Sequence, residues 1–509
     1  MGNSVLAVDV LENKETRTRH FLKEYVVVKD GILQTTEKDD SLTVKNALTL
    51  SGKSLEDLYA HFDSHLDNSI KLIQSNHGQA ISNDFIVAVT VDKEIRVKGL
   101  NTYFLSGASA SNNGYVTINN PHKTSEIKDI IVSNTNCYVL YEDGELYAMG
   151  KNSYGCLGVG NAVEQYSLVY SASNVEKIVA SSSGHHLESN FAFIIKKDGK
   201  VFSTGRNISG NLGLGDTLDK FVWTEVLYLS GIGNVIDVVL AGTENAASYL
   251  LTDKGELLST GYNGFGNLGF NDVTNRTTFQ KIPSFSNIKI KQIVATSGYY
   301  QTKYNISVLA LSLEGILFAF GDNTYGQLGT GDVVQKNNPV SVFINLQEDE
   351  KIEKIYAPKA SYNFYLLTNK NNLYGAGNNA YGQLNQNNTT NSNLFIKVFE
   401  NVKDLAITAC LQYTYFVGLY ILTLDNKLFT VGYNQRGNLG VNSSTDVKVA
   451  IDTNFEYANQ IKQISSGGYL YPTINILLEN GKVFSCGSNT NGQILMPISN
   501  SVNRLTRIF

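Results

Sequence analysis

The residues of this chain that carry reactive chemistry are few and scattered. Seven histidines are present, and two pairs have a spacing that could hold a metal or move a proton. His61 and His65 lie four apart, and His185 and His186 are adjacent. Two imidazoles four residues apart on a helix share one face and can chelate zinc. No Cys-rich or Glu-rich stretch completes such a site around His61 and His65, which read as the polar flank of a helix. The cysteines, Cys137, Cys156, Cys410 and Cys486, form no C-x-x-C pair. They read as small buried thiols of a protein made in a reducing cytoplasm, with neither a zinc site nor a disulfide framework. The sequence contains no H-E-x-x-H and no G-x-S-x-G. The expectation is no catalytic residue, no metal and no cofactor, and a protein that is not an enzyme.

Glycine-rich loops can also cradle phosphate, and one such phrase occurs seven times. Its copies begin at Gly150, Gly205, Gly261, Gly321, Gly377, Gly432 and Gly487, and the clearest, GDNTYGQLGTGD, runs from Gly321 to Asp332. Subtracting successive glycine numbers gives steps of 55, 56, 60, 56, 55 and 55 residues. A phosphate loop needs a helix N-terminus after it, whereas strand-like and loop-like sequence follows here. The phrase therefore reads as structural. The leading Gly ends a strand at a crowded point, and the second Gly, five residues on, takes positive φ. The Asn between them holds the turn. The Leu or Ile two past the second Gly plugs between units.

A fixed long period signals a repeat architecture. Each unit holds a short apolar strand, a variable loop, a second strand, and a tight turn such as Asp198-Gly199. A third strand then runs into the phrase, and most copies have a fourth strand after it. Four strands with short turns at this period describe one propeller blade. Length supports this, since 509 residues exceed one ordinary core. The 42% hydrophobic content suits packed cores. A net charge of −5 and a pI near 5.9 argue against a nucleic-acid partner. No run of about 18 apolar residues exists, so no membrane span is expected. The first residues lack the marks of a signal peptide, and Leu6 stands where a myristoylation signal wants Ser or Thr.

The phrase G-x-N-x-x-G-x-L-G, preceded by a D-G turn and an apolar strand, resembles the regulator of chromosome condensation repeat. The resemblance implies a seven-bladed β-propeller over residues 115–509. Members of that family act as guanine nucleotide exchange factors, chromatin binders, ultraviolet sensors or β-lactamase inhibitors. The sensors need clustered tryptophans, and Trp223 is the single one here. The third glycine of the phrase is replaced at Asn385 and at Leu495, which marks a distant relative. Either Leu505–Phe509 or Tyr115–Ile118 is expected to supply the last outer strand.

Residues 1–110 lack the phrase and read as a small α+β attachment or oligomerisation domain. Apolar runs flank Asp30-Gly31, a hairpin signal, and a strand is expected near Val44–Leu50. Leu55, Leu58, Tyr59, Phe62, Leu66, Ile70 and Ile73 form a stripe with helical spacing, which predicts a helix over about 55–76. Phe85–Val91 and Glu94–Gly99 suggest a further hairpin, and Ser106–Gly114 a linker.

The loops between first and second strands open on one face of the ring by repeat register. They carry Tyr299, Tyr300, Tyr304, Tyr362, Tyr365, Tyr413, Tyr415, Tyr469 and Tyr471, together with His185 and His186. Tyrosine-bearing loops on a rigid scaffold suit protein recognition. The alternative is that alternate tyrosines pack inside the sheets. The expected function is a non-enzymatic protein-binding propeller. Asn46–Ala60 looks like attachment segments of phage tail fibres. That favours a virion or host-recognition protein, with a cell-surface receptor on the propeller and virion proteins or a second copy on residues 1–110. The expected location is then the virion, and otherwise the cytoplasm. The rivals are an exchange-factor-like regulator of a small GTPase and an enzyme inhibitor.

Overall fold

The computed structural model describes residues 26–29, 32–35, 44–45, 70–75, 85–99, 116–133, 135–181, 190–227, 231–242, 245–300, 303–358, 360–408, 416–467, 472–490, 494 and 501–508. The chain forms two compact units, Met1–Ser69 and Ile70–Phe509. The first holds a three-stranded antiparallel sheet of Val26–Lys29, Ile32–Thr35 and Val44–Lys45. Lys29 pairs with Ile32, as the apolar runs around Asp30-Gly31 predicted.

The second unit corrects the expected blade count. It contains eight four-stranded antiparallel sheets, each made of four consecutive strands. Blades 2 to 8 carry the seven phrases. Blade 1 precedes them and consists of Ile70–Ser75, Phe85–Thr90, Ile95–Gly99 and Val116–Ile118. The α+β reading of this region fails because Ile70–Ser75, the end of the predicted helix, is a strand. Residues 55–69 of that helix, with His61 and His65, lie outside the described residues. The division between units accordingly falls after Ser69. Ser501–Arg507 is the fourth strand of blade 8, while Val116–Ile118 serves blade 1.

First strands of neighbouring blades lie against one another and so surround the axis. All eight begin with the same irregularity. Pairing with the second strand slips after the first residue, between Ile70 and Leu72, Ile127 and Asp129, Val175 and Lys177, and equivalently through to Ile461 and Gln463. Such a bulge lets two successive side chains leave the core side together. In blades 1 to 7 residues one and four of the strand are then buried, as Ile127 and Ile130 or Ile352 and Ile355 are, while Ile461 and Ile464 of blade 8 are half-buried. The second strands are buried along their whole length in most blades, for example Asn363–Thr368 and Gly418–Thr423. Each large apolar side chain removed from water there contributes about 1.5–3 kcal/mol. Antiparallel alternation puts the first-to-second-strand loops and the phrases on one side, the loop face. The tight turns and the links between blades lie on the other, the turn face.

Candidate recognition surfaces of the propeller

The repeated residues hold the scaffold. In all seven phrases the Asn Oδ1 accepts the backbone N–H of the plugging residue, from Asn152 with Leu157 at 3.0 Å to Asn489 with Ile494 at 2.9 Å. The Asn amide donates to the carbonyl nine residues on, as from Asn207 to Asp216 at 3.0 Å and from Asn323 to Asp332 at 3.0 Å. Leu157, Leu212, Leu268, Leu328, Leu384, Leu439 and Ile494 are each fully buried. The leading glycines have φ between 99° and 116°, and the second glycines at 155, 210, 266, 326, 382 and 437 between 66° and 80°.

The second glycine also marks a close approach between blades. A Cβ on Gly266 would lie 2.3 Å from Cα of Asn337 in the outer strand of the next blade. The tail of the phrase bonds to that same strand. Gly160 N–H donates to Phe221 O, Gly215 to Thr277, Asn271 to Asn337 and Gly331 to Asn393, each at 2.8 Å. Asn387 donates to Lys448 at 3.1 Å and Asn442 to Asn503 at 2.7 Å. The departure at Asn385 is accommodated. Its φ is 58°, and its side chain accepts from Ala450 N–H at 2.7 Å and donates to Val398 O at 2.6 Å, tying blade 6 to blade 7.

A second belt runs around the axis near the turn face, and the sequence reading missed it. Side chains released by the first-strand bulge reach into the next blade. Lys71 Nζ donates to Ile127 O at 3.2 Å, Lys128 pairs with Glu176 at 2.7 Å, and Lys177 with Asp237 at 2.6 Å. Gln292 Nε2 donates to Ile355 O at 2.8 Å and its Oε1 accepts Ile355 N–H at 3.0 Å. Tyr356 donates to Asp404 at 3.3 Å. The readable signal was a four-residue motif with apolar ends: IKLI at 70–73, IKDI at 127–130, IKQI at 290–293 and 461–464, and IEKI at 352–355.

The same region holds a cavity of about 450 Å³, lined by Lys128, Asp129, Glu176 and Lys177 together with apolar residues that include Leu140, Ile178 and Ile195. Burial raises the Asp129 carboxyl above the ordinary Asp range, against the Ile130 N–H and the nearby Lys128 and Lys177. Among the described residues no group of three His, Cys, Asp or Glu is arranged to hold a metal.

The predicted tyrosine surface divides. Blade 5 carries a long hairpin of Ile290–Tyr300 and Lys303–Ser312. Its third strand begins to pair only at Ser307 with Gly321, so Gly298–Tyr300 and Lys303–Asn305 continue past it on the loop face. Tyr299 pairs with Tyr304 there. Tyr362, by contrast, is buried, so it is not a surface contact. Its ring lies 4.4 Å from that of Tyr325, and only a glycine at 298 leaves room for it. Tyr365 is also buried, its hydroxyl donating to Gln383 O at 3.4 Å. Tyr138, Tyr249 and Tyr420 do the same to Cys156, Asn267 and Asn438. His185, His186, Tyr413, Tyr415, Tyr469 and Tyr471 lie outside the described residues.

This is a repeat propeller, and comparison with known proteins supports the regulator of chromosome condensation repeat family. The "Regulator of chromosome condensation (RCC1) repeat" profile matches residues 143–187 and 314–357. The chain is 29% identical over 310 residues to the ultraviolet-B receptor UVR8 of Arabidopsis thaliana, covering 59% of this chain and 64% of the receptor. It is 27% identical to the human E3 ubiquitin-protein ligase HERC2 over 50% of this chain but only 5% of the ligase. The matched region thus spans less than two thirds of these relatives. The structure of human WBSCR16 matches with a TM-score of 0.53 and 16% identity, covering 76% of this chain and all of that one. Yeast Prp20, solved bound to Kap60, matches with a TM-score of 0.51 and 20% identity, covering 73% of this chain and 85% of that one. These two likenesses concern the fold. None of these proteins is a virion or tail protein, so the phage expectation gains no support from them. Trp223 has a packing role: it sits against Gly158 and donates to Ser171 Oγ at 2.9 Å.

Proposed function

We propose that the chain is a non-enzymatic, protein-binding regulator whose loop face engages a folded partner, and that the partner is a small GTPase on which it acts in the manner of an exchange factor. One observation carries the binding reading. The repeated Asn closes each phrase on itself and the second Gly and the Leu fill the contact with the next blade, whereas the loops between first and second strands vary in length and sequence and share one face. Among the described residues, the blade 5 hairpin carries Tyr299, Tyr300 and Tyr304 past its own third strand on that face. Rigid display of tyrosines is the arrangement in which aromatic anchors bind at low entropic cost.

The GTPase class is supported by the family resemblance and by a second structure of yeast Prp20, which concerns its binding to Gsp1p and histones. That match has a TM-score of 0.51 at 19% identity. The test is release of a fluorescent GDP analogue from a panel of purified small GTPases on addition of the full chain. Acceleration of one member, lost in the Tyr299→Ala/Tyr300→Ala double variant that keeps its far-ultraviolet spectrum, is expected. Release at the intrinsic rate for every member, with none captured by the immobilised chain, ends the GTPase reading.

A further inference from the structure

In blades 2 to 7 the loop from the third strand to the fourth ends on the loop face in a turn whose backbone is held the same way each time. The residue at its tip donates its N–H to a side-chain oxygen two residues earlier. Val163 donates to Asn161 at 2.8 Å, Leu218 to Asp216 at 3.0 Å and Thr274 to Asp272 at 2.9 Å. Val334 donates to Asp332 at 3.0 Å, Thr390 to Asn388 at 2.9 Å and Thr445 to Ser443 at 3.0 Å. In three blades the tip carbonyl also accepts from the phrase Asn, as Leu218 does from Asn207 at 3.2 Å, Val334 from Asn323 at 3.4 Å and Thr445 from Asn434 at 3.0 Å. The turn thus requires an acceptor at its start and sets no demand on the side chain at its tip. Threonine serves there in blades 6 and 7.

In blades 2 to 5 the tips are apolar instead. Val163, Leu218, Val273, Val333 and Val334, at the tip or the residue before it, are each between 51 and 67% exposed. Blades 6 and 7 place Thr389, Thr390, Ser444 and Thr445 at the same positions, all exposed. A single exposed aliphatic side chain is ordinary on a protein surface. Apolar tips on four consecutive blades, on a backbone that threonine satisfies equally, form a patch with a purpose other than folding. We propose that these five side chains mark the outer edge of the footprint of a folded protein, which sits off-centre on the loop face over blades 2 to 5. The proposal rests on the loop face being the binding face and narrows it to one side. Two features select the occupant. The tips follow an arc over four of the eight blades, which the broad surface of a domain can touch together and a single extended strand cannot. The charges beside them are cancelled locally, because Asp216 pairs with Lys220, Asp272 with Arg276 and Asp332 with Lys336, each at 2.7 Å. The patch therefore offers uncharged contacts suited to an apolar partner surface. Its backbone is already fixed, so binding orders little more of it. Blade 5 carries both Val333 and Val334 and the tyrosine hairpin, which joins this edge to the rest of the proposed face.

Photo-crosslinking in the full chain tests this. Benzoylphenylalanine replaces Leu218, Val334, Thr390 or Thr445, one at a time, and each variant is irradiated in an extract of the cells that make the protein. One polypeptide should cross-link from positions 218 and 334 at least about tenfold more than from 390 and 445. With that polypeptide purified, Leu218→Ser/Val334→Ser should weaken binding at least about tenfold, while Thr390→Ser/Thr445→Ser leaves it unchanged. The turn bonds use backbone N–H groups, so both variants should melt with the parent. Equal cross-linking from the two sides or none from any position overturns the footprint. So do adducts of twice the chain's own mass, which make the occupant a second copy. Failure of the GTPase reading has a different appearance. A cross-linked polypeptide that binds no guanine nucleotide ends that reading and leaves the footprint standing. Accelerated GDP release that survives Leu218→Ser/Val334→Ser keeps the GTPase and removes the footprint.

Discussion

The Oδ1 atom of Asn263 accepts the backbone N–H of Leu268 at 2.8 Å, so one amide side chain fixes both the shape of a loop and the depth of a plug between blades. The same side chain donates to Asp272 O at 2.9 Å, closing the phrase on itself. Neither atom has access to water, because Asn263 is fully buried.

Asn263→Ala should therefore cost about 2–4 kcal/mol, since two buried hydrogen bonds vanish and a buried N–H loses its acceptor. Asn263→Asp keeps the acceptor and loses the donor, placing a carboxylate against the oxygens of Asp272. It should be worse than alanine at neutral pH and recover in acid. Urea unfolding of both variants at two pH values checks this, and a midpoint unchanged from the parent would remove the Asn from the scaffold.

Two glycines separate conformation from crowding. Gly315 has φ of 85° with nothing within 4 Å of an added Cβ, whereas Gly266 has φ of 66° and faces Asn337 Cα at 2.3 Å. Gly315→Ala should cost about 1 kcal/mol, the price of a left-handed alanine. Gly266→Ala should cost several times more, or prevent folding, because the outer strand of the next blade must move. Thermal melts of the pair supply the comparison.

Acid should weaken the phrases of blades 4 and 5. Ion pairing with Arg276 and with Lys336 holds the carboxyls of Asp272 and Asp332 below the ordinary Asp range. A group depressed in the folded state stabilises above its unfolded pKa, near 3.9, and loses that contribution as pH falls through the lower folded value. Both side chains are well exposed, so the effect is modest and screened by salt. Asp322 works in the opposite sense, because burial raises its carboxyl against the hydrogen bonds from Thr324 and Gln327. The Asp272→Asn/Asp332→Asn variant should lose less stability than the parent between pH 4 and 2.

Cys137, Cys156 and Cys486 should be inert in the native chain. All three are buried, and burial pushes each thiol up to about 12. The thiolate is the reactive form, so alkylation at pH 8 should track unfolding. Rapid native labelling of any of the three would contradict the packing described.

Much of the scaffold was legible in the sequence because it depends on glycines and asparagines whose roles are local. The period, the turn residues and the plugging leucines follow from seven similar phrases. Blade 1 escaped because its markers are diluted. Lys93 takes the positive φ, 65°, that glycine takes in other turns, and Gly99 has the leading-glycine φ of 104° without the full phrase after it. The bulge added a false signal. It buries Ile70 and Ile73, three apart, and so imitates the spacing of a helical stripe. The recognition surface was less legible. Buried tyrosines such as Tyr362 and Tyr365 share loops and strands with exposed-face candidates, and which way a ring turns depends on room left by another blade, as Gly298 leaves for Tyr362.

Among the described residues, the phrase-tail bonds of blades 2 to 7 all point one way, from a blade to its successor. A rule of that kind is indifferent to number: it says how to add a neighbour and never when to stop. Where the circle ends is then set by the curvature that each addition contributes and by whether the last surface meets the first. Gain or loss of a single unit is on this account a small heritable step, and eight in place of seven asks for no new chemistry.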